Sequence, residues 1–209
     1  MLSSFIITFR ESLEASLIIG VILGYLSKTS QQKQNKIVYA GVLVGVIGSI
    51  LGAFLFNKLA GGFEGKAEEI FEGITMIIGA ILLITVILWM QKQKNIAQNL
   101  QNKIGVNIGN SGKISLFTLS FISVLREGIE TVIFLSASTF ASGENSLTGA
   151  ILGILTAIVV GILVFFGSLK INVKKFFNIT SILLVIIAIW LFIQGLHEFE
   201  EAGLFPELF

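Results

Sequence analysis

Apolar runs of about 20 to 25 residues, broken by short polar stretches that collect lysine, recur along the whole chain. Runs of that length predict helices able to cross roughly 30 Å of hydrocarbon. Six are predicted, at 3–27, 36–59, 67–90, 114–140, 147–169 and 173–196. Helices are expected rather than barrel strands because the runs are continuously apolar and lack the alternating segments of about ten residues that a barrel needs. Between the third and fourth runs, QKQKNIAQNLQNKIGVNIGNSGK is polar, basic and spotted with glycine, and reads as a linker between two halves. The expected organisation is a three-helix unit at 1–91, a cytoplasmic linker at 92–113, a second three-helix unit at 114–197 and an acidic extracytoplasmic segment at 198–209.

The halves echo each other. RESLE at 10–14 is answered by REGIE at 126–130, AGVLVG at 40–45 by TGAILG at 148–153, and FEGIT at 71–75 by FFNIT at 176–180, in the same order. Because each half has an odd number of spans, the second enters the membrane from the opposite side. The expected architecture is therefore an all-α, polytopic 3+3 inverted repeat, as in many transporters. Lysine placement sets the orientation. Lys28, Lys33 and Lys36, then Lys92, Lys94, Lys103 and Lys113, then Lys170, Lys174 and Lys175 fall in loops on one side, against Lys58 and Lys66 on the other. The positive-inside rule makes the lysine-rich side cytoplasmic and the N-terminus extracytoplasmic.

Composition agrees, with 54% hydrophobic residues, 13% charged residues and a mean hydropathy of +0.91. The absence of cysteine excludes disulfides, thiolate metal sites and thiol nucleophiles. The first run lacks a basic leader and a small-residue cleavage site, so it is read as a retained span. An enzyme is not expected: there is no HExxH, no aspartate and one histidine at a membrane edge.

Charge interrupts the apolar pattern at two places, and both carry RExxE. On a helix, Arg10 and Glu14 are four apart and Glu11 and Glu14 three apart, so the charges share a face, as do those of Arg126, Glu127 and Glu130. A structural reading makes each motif a neutralised ion-pair network. Each motif, however, has one more acid than base, and an uncompensated intramembrane carboxylate marks an ion or proton pathway. Glu11, Glu14, Glu127 and Glu130 offer hard oxygen ligands for a hard cation, with Arg10 and Arg126 balancing charge while the site is empty. Every other acid, Glu64, Glu68, Glu69, Glu72, Glu144, Glu198, Glu200, Glu201 and Glu207, falls on the outer side, where carboxylates would concentrate cations.

The paired RExxE helices, the EExxEG stretch from Glu68 to Gly73 and the segment HEFEEAGLFPE at 197–207 resemble the oxidase-dependent iron permeases, the bacterial and fungal high-affinity ferric uptake family. The resemblance covers essentially the whole chain. It implies an iron importer, most simply of Fe3+, in which Glu11, Glu14, Glu127 and Glu130 carry the metal. It also implies an extracytoplasmic ferroxidase or iron-delivery partner, and it implies neither a cofactor nor a nucleic-acid partner, iron being the cargo. The family usually has a seventh span after the HEFEEAG-like segment, and this sequence stops at Phe209, so that helix is expected to be absent or truncated.

The remaining polar residues divide by position. Glu72, the deepest of its group, is a candidate ligand, whereas Glu68 and Glu69 serve either as a helix start favoured by the macrodipole or, with His197, Glu198, Glu200 and Glu201, as an outer site where the ion enters. Gly41, Gly45, Gly48, Gly52, Gly149 and Gly153 are expected to serve close helix packing, and Trp89 to be an interfacial anchor. The competing function is a proton-coupled transporter of another divalent cation or small solute that uses the same glutamates as a relay. Copper(I) and zinc are disfavoured, since Met1, Met76 and Met90 are the only methionines.

Overall fold

The computed structural model describes the backbone of residues 1–92, 96–143, 147–165 and 173–204, and the side chains of 1–89, 113–143, 147–164 and 178–204. The side chains of Lys92, Lys94, Lys103, Lys170, Lys174, Lys175, Glu144 and Glu207 lie outside the described residues. Among the described residues there is no strand. The helices are α1 (Leu2–Lys28), α2 (Asn35–Ala60), α3 (Lys66–Lys92), α4 (Ile96–Ser142), α5 (Leu147–Phe165) and α6 (Val173–Glu201), with one 3-10 turn, Gln32–Gln34.

The first three helices match their apolar runs closely, whereas α4 and α6 overrun theirs. Upstream of 114, α4 is polar but contains no proline, so the end of hydrophobicity there marks an expected lipid boundary and not a helix boundary. The overrun of α6 takes in His197–Glu201 and ends at a Schellman turn. Leu204 N–H donates to Phe199 O at 3.0 Å and Gly203 N–H to Glu200 O at 2.8 Å. Gly203, at φ +71°, supplies the left-handed residue this closure requires.

Helices α1 and α4 lie at the centre. The first packs on α5 and α4, the second on α2 and α3, and α3 pairs with α6. One core joins α1, α3, α4 and α6 through Ile7, Met76, Leu83, Phe134 and Leu191, and a smaller one joins α1, α2 and α4 through Ile22, Leu26, Val38 and Leu116. Glycine brings α2 and α5 close to their partners. A Cβ on Gly41 would stand 2.7 Å from Phe117 O and 2.9 Å from Ser120 Cβ, and one on Gly45 would stand 2.9 Å from Val124 Cβ and 3.1 Å from Phe121 O. Gly149 meets Met1 O and Ser4, and Gly153 meets Thr8 Oγ1 and Phe5 O. Met1, Ser4, Phe5 and Thr8 stand at the same offsets from Arg10 as Phe117, Ser120, Phe121 and Val124 do from Arg126. Thr8 Oγ1 adds a polar contact between helices, 3.1 Å from Ala150 O.

Among the described residues the outward faces of α2 and α5 are largely apolar, with Leu43, Ile47, Leu51 and Phe54 on α2 and Ile151, Leu155, Ile158 and Ile162 on α5. Among the described residues, four helices are long and apolar enough to cross a membrane by length and composition alone: α2, α3, α5 and α6. The two outside that set, α1 and α4, carry RExxE. Lipid on the outside and the motif helices shielded within is the arrangement of a multi-pass membrane protein.

Candidate metal centre

Because α1 and α4 pack together, their motif faces meet. Side chains three and four apart lie over one another on a helix, so each motif turns its charges to the same side. Arg10 and Glu11 are fully buried and in direct contact through Nη1 and Oε1, while Arg10 Nη2 stands 2.7 Å from Glu14 Oε1. A buried guanidinium is tolerable only with such partners. On α4, Arg126 Nε donates to Glu130 Oε1 at 2.8 Å, but this arginine is 45% exposed and its guanidinium carbon stands 5.2 Å from the centroid of the Trp89 ring.

Glu127 is buried and crosses to α1. One oxygen from each of Glu11, Glu14 and Glu127 falls within 4.8 Å of the other two. Bonds from a hard cation to carboxylate oxygen are about 2.0–2.5 Å, so small rotamer changes bring all three onto a single ion. Glu11 Oε2, Glu127 Oε2 and Glu130 Oε2 are buried with no hydrogen-bond partner. Buried carboxylate oxygen without a donor costs free energy on the order of 1–3 kcal/mol, which a bound cation or a proton relieves.

Glu130 is tied to Arg126 and stands outside the three-oxygen cluster, one helical turn along from Glu127. Glu72 is not in the cluster either. It is half-buried near the start of α3, where it feels the charges of Glu198 and Glu68. Here the start of α3 meets the end of α6: a Cβ on Gly73 would stand 2.8 Å from the Phe199 ring and 3.0 Å from Gly195 O. Glu68 is exposed and Glu69 half-buried, and Glu198 feels the charges of Glu201, Glu69 and Glu68. His197 is exposed, with Nδ1 3.2 Å from Glu200 Oε2 and Nε2 3.3 Å from Glu201 Oε1. The residues expected in one acidic group are thus together at one end of the α3–α6 pair.

Two features were not evident beforehand. Identical motifs give no hint that one arginine is buried and the other partly exposed. Trp89, expected only as an anchor, touches Arg126; the signal was its place on a helix with no tryptophan at the matching position of the other half.

The sequence matches the profile of the Iron permease FTR1 family over residues 1–207. It is 35% identical over 208 residues to the "Ferrous iron permease EfeU" of Yersinia pestis, covering 98% of this chain and 74% of that protein. It is 35% identical over 204 residues to the protein of the same name from Yersinia pseudotuberculosis, covering 96% and 72%. It is 34% identical over 209 residues to the "Putative inactive ferrous iron permease EfeU" of Escherichia coli, covering 98% and 75%. No solved structure matches.

Proposed function

The chain belongs to the Iron permease FTR1 family, and from that premise we propose that it carries iron inward across a cell membrane through Glu11, Glu14, Glu127 and Glu130. Membership makes it a membrane permease rather than an enzyme. The observation that supports the glutamate route is the cluster itself: three carboxylates from two motif helices converge inside the bundle with oxygen lone pairs left over. Arg10 holds Glu11 and Glu14 in place, and Arg126 holds Glu130.

Donor chemistry and charge balance favour different oxidation states. An all-carboxylate set with no sulfur suits the harder ferric ion. Four glutamates against two arginines leave two negative charges, which a ferrous ion balances, and the relatives above are named ferrous iron permeases. The first reading stays ferric and the second is ferrous.

The 3+3 inverted repeat draws support from the glycine contacts, since α2 meets α4 at the same motif offsets at which α5 meets α1. In this reading the N-terminus and the acidic end of α3–α6 are extracytoplasmic. Glu72, Glu68, Glu69, His197, Glu198, Glu200 and Glu201 there receive iron from a ferroxidase or delivery protein, the carboxylate field raising its local concentration.

Uptake into proteoliposomes, supplied in turn with ferric citrate and with ascorbate-reduced iron, tests the reading. Glu14→Gln and Glu130→Gln are expected to abolish uptake of the preferred form while protein remains folded in the membrane. Normal uptake by both variants would make the glutamates structural, and solute uptake independent of iron would favour the proton relay.

A further inference from the structure

The two motifs are alike in sequence and unlike in structure. Arg10 contacts both glutamates of its own motif and is fully buried. Arg126 pairs with Glu130, leaves Glu127 to the cluster, and lies against Trp89. Counting onward from the FEGIT and FFNIT stretches, the place of Trp89 in the second half is taken by Gln194, whose Nε2 donates to Ala141 O at 3.2 Å. The two halves therefore differ in sequence at this position, tryptophan in one and glutamine in the other.

We propose that Trp89 is a positioning residue of the transport site, its ring holding Arg126 away from Glu127 so that Glu127 stays available to the cation. The inference rests on the reading of the motif glutamates as the iron site. Glu127 and Arg126 are neighbours on one helix, and in a medium of low dielectric constant an arginine is drawn to any nearby carboxylate. A guanidinium fork on Glu127 would fill the lone-pair directions a metal needs and set a positive charge beside the incoming ion. Opposing that swing are the bond to Glu130 and the Trp89 face, tryptophan being the aromatic ring that attracts a cation most strongly.

An interfacial anchor and a positioning residue respond differently to a mutant cycle of Trp89→Leu, Arg126→Gln and the pair, read as the KM and maximal rate of iron uptake. Trp89→Leu is expected to raise KM about fivefold, the size of an exposed cation–π contact, with little change in maximal rate, and Trp89→Phe to raise it less. In the Arg126→Gln background the Trp89→Leu effect should vanish. An unchanged KM in Trp89→Leu, or a loss of equal size in both backgrounds, would overturn the proposal. A second readout does not depend on Trp89→Leu folding. With Trp190→Phe as background, Trp89 is the sole tryptophan, and Arg126→Gln should shift its fluorescence emission; unchanged emission would likewise overturn it. Glu127→Gln separates the levels. If it lowers iron binding while Trp89→Leu does not, only this inference fails. If it leaves binding intact, the glutamate reading fails and this inference with it.

Discussion

Gly153 offers a sharp test of how the bundle is assembled. Replacing it with alanine puts a methyl group 2.7 Å from Phe5 O and 2.9 Å from Phe9 N, and against Thr8 Oγ1 as well. Two of these neighbours are backbone atoms of α1, so no rotamer change relieves the contact, and α5 must move away by about 1 Å to restore ordinary van der Waals spacing. Overpacking of this kind costs about 1–3 kcal/mol, against a helix-propensity gain of about 1 kcal/mol for alanine over glycine. The net expectation is a loss of up to about 2 kcal/mol. Thr8 stands two residues before Arg10, so the shift also reaches the carboxylate cluster. Gly52→Ala is the matched control. With nothing within 4 Å of its Cβ, it carries the propensity gain without the clash. Thermal unfolding of detergent-solubilised protein, followed by tryptophan fluorescence, should place Gly153→Ala below and Gly52→Ala at or above the parent. Equal midpoints for Gly153→Ala and Gly52→Ala would refute the packing of α5 on α1 described above.

Arg10→Gln leaves two buried carboxylates uncompensated and should cost about 3–5 kcal/mol, whereas Arg126→Gln, whose side chain is 45% exposed and pairs with Glu130, should cost less; denaturant titration of both variants checks the ordering. Glu68→Gln with Glu69→Gln should raise the KM of uptake more at low than at high ionic strength, because a field between exposed charges is screened over about 10 Å at 0.1 M salt. Glu72→Gln, half-buried behind them, should instead lower uptake even at saturating iron and in high salt, and equal, salt-independent losses in both variants would contradict that division.

Hydropathy made the apolar runs legible, and among the described residues a strict limit on charge singles out α2, α3, α5 and α6. The central helices α1 and α4 come into view once the charges of RExxE are taken as function rather than as breaks. The lengths of α4 and α6 were hidden, because a helix that continues beyond its apolar run looks like a loop to any hydrophobic pattern. The glycine steps pointed to close packing, but their partners did not show. Gly41 and Gly45 meet α4 and Gly149 and Gly153 meet α1, pairings between distant parts of the chain that no local signal carries. Convergence of Glu11, Glu14 and Glu127 was foreseeable from motif spacing and repetition. The exposure of Arg126 and its tertiary contact with Trp89 were not, since the repeated motif encodes neither.

Iron binding to purified protein, with and without Glu127→Gln, bears most directly on the central claim. Glu127 is the one cluster member supplied by α4. Equilibrium dialysis with radioactive iron should show binding weakened by more than about tenfold in Glu127→Gln, with an unaltered far-ultraviolet circular dichroism spectrum. Equal affinity in the two proteins would contradict a metal site formed between the motif helices.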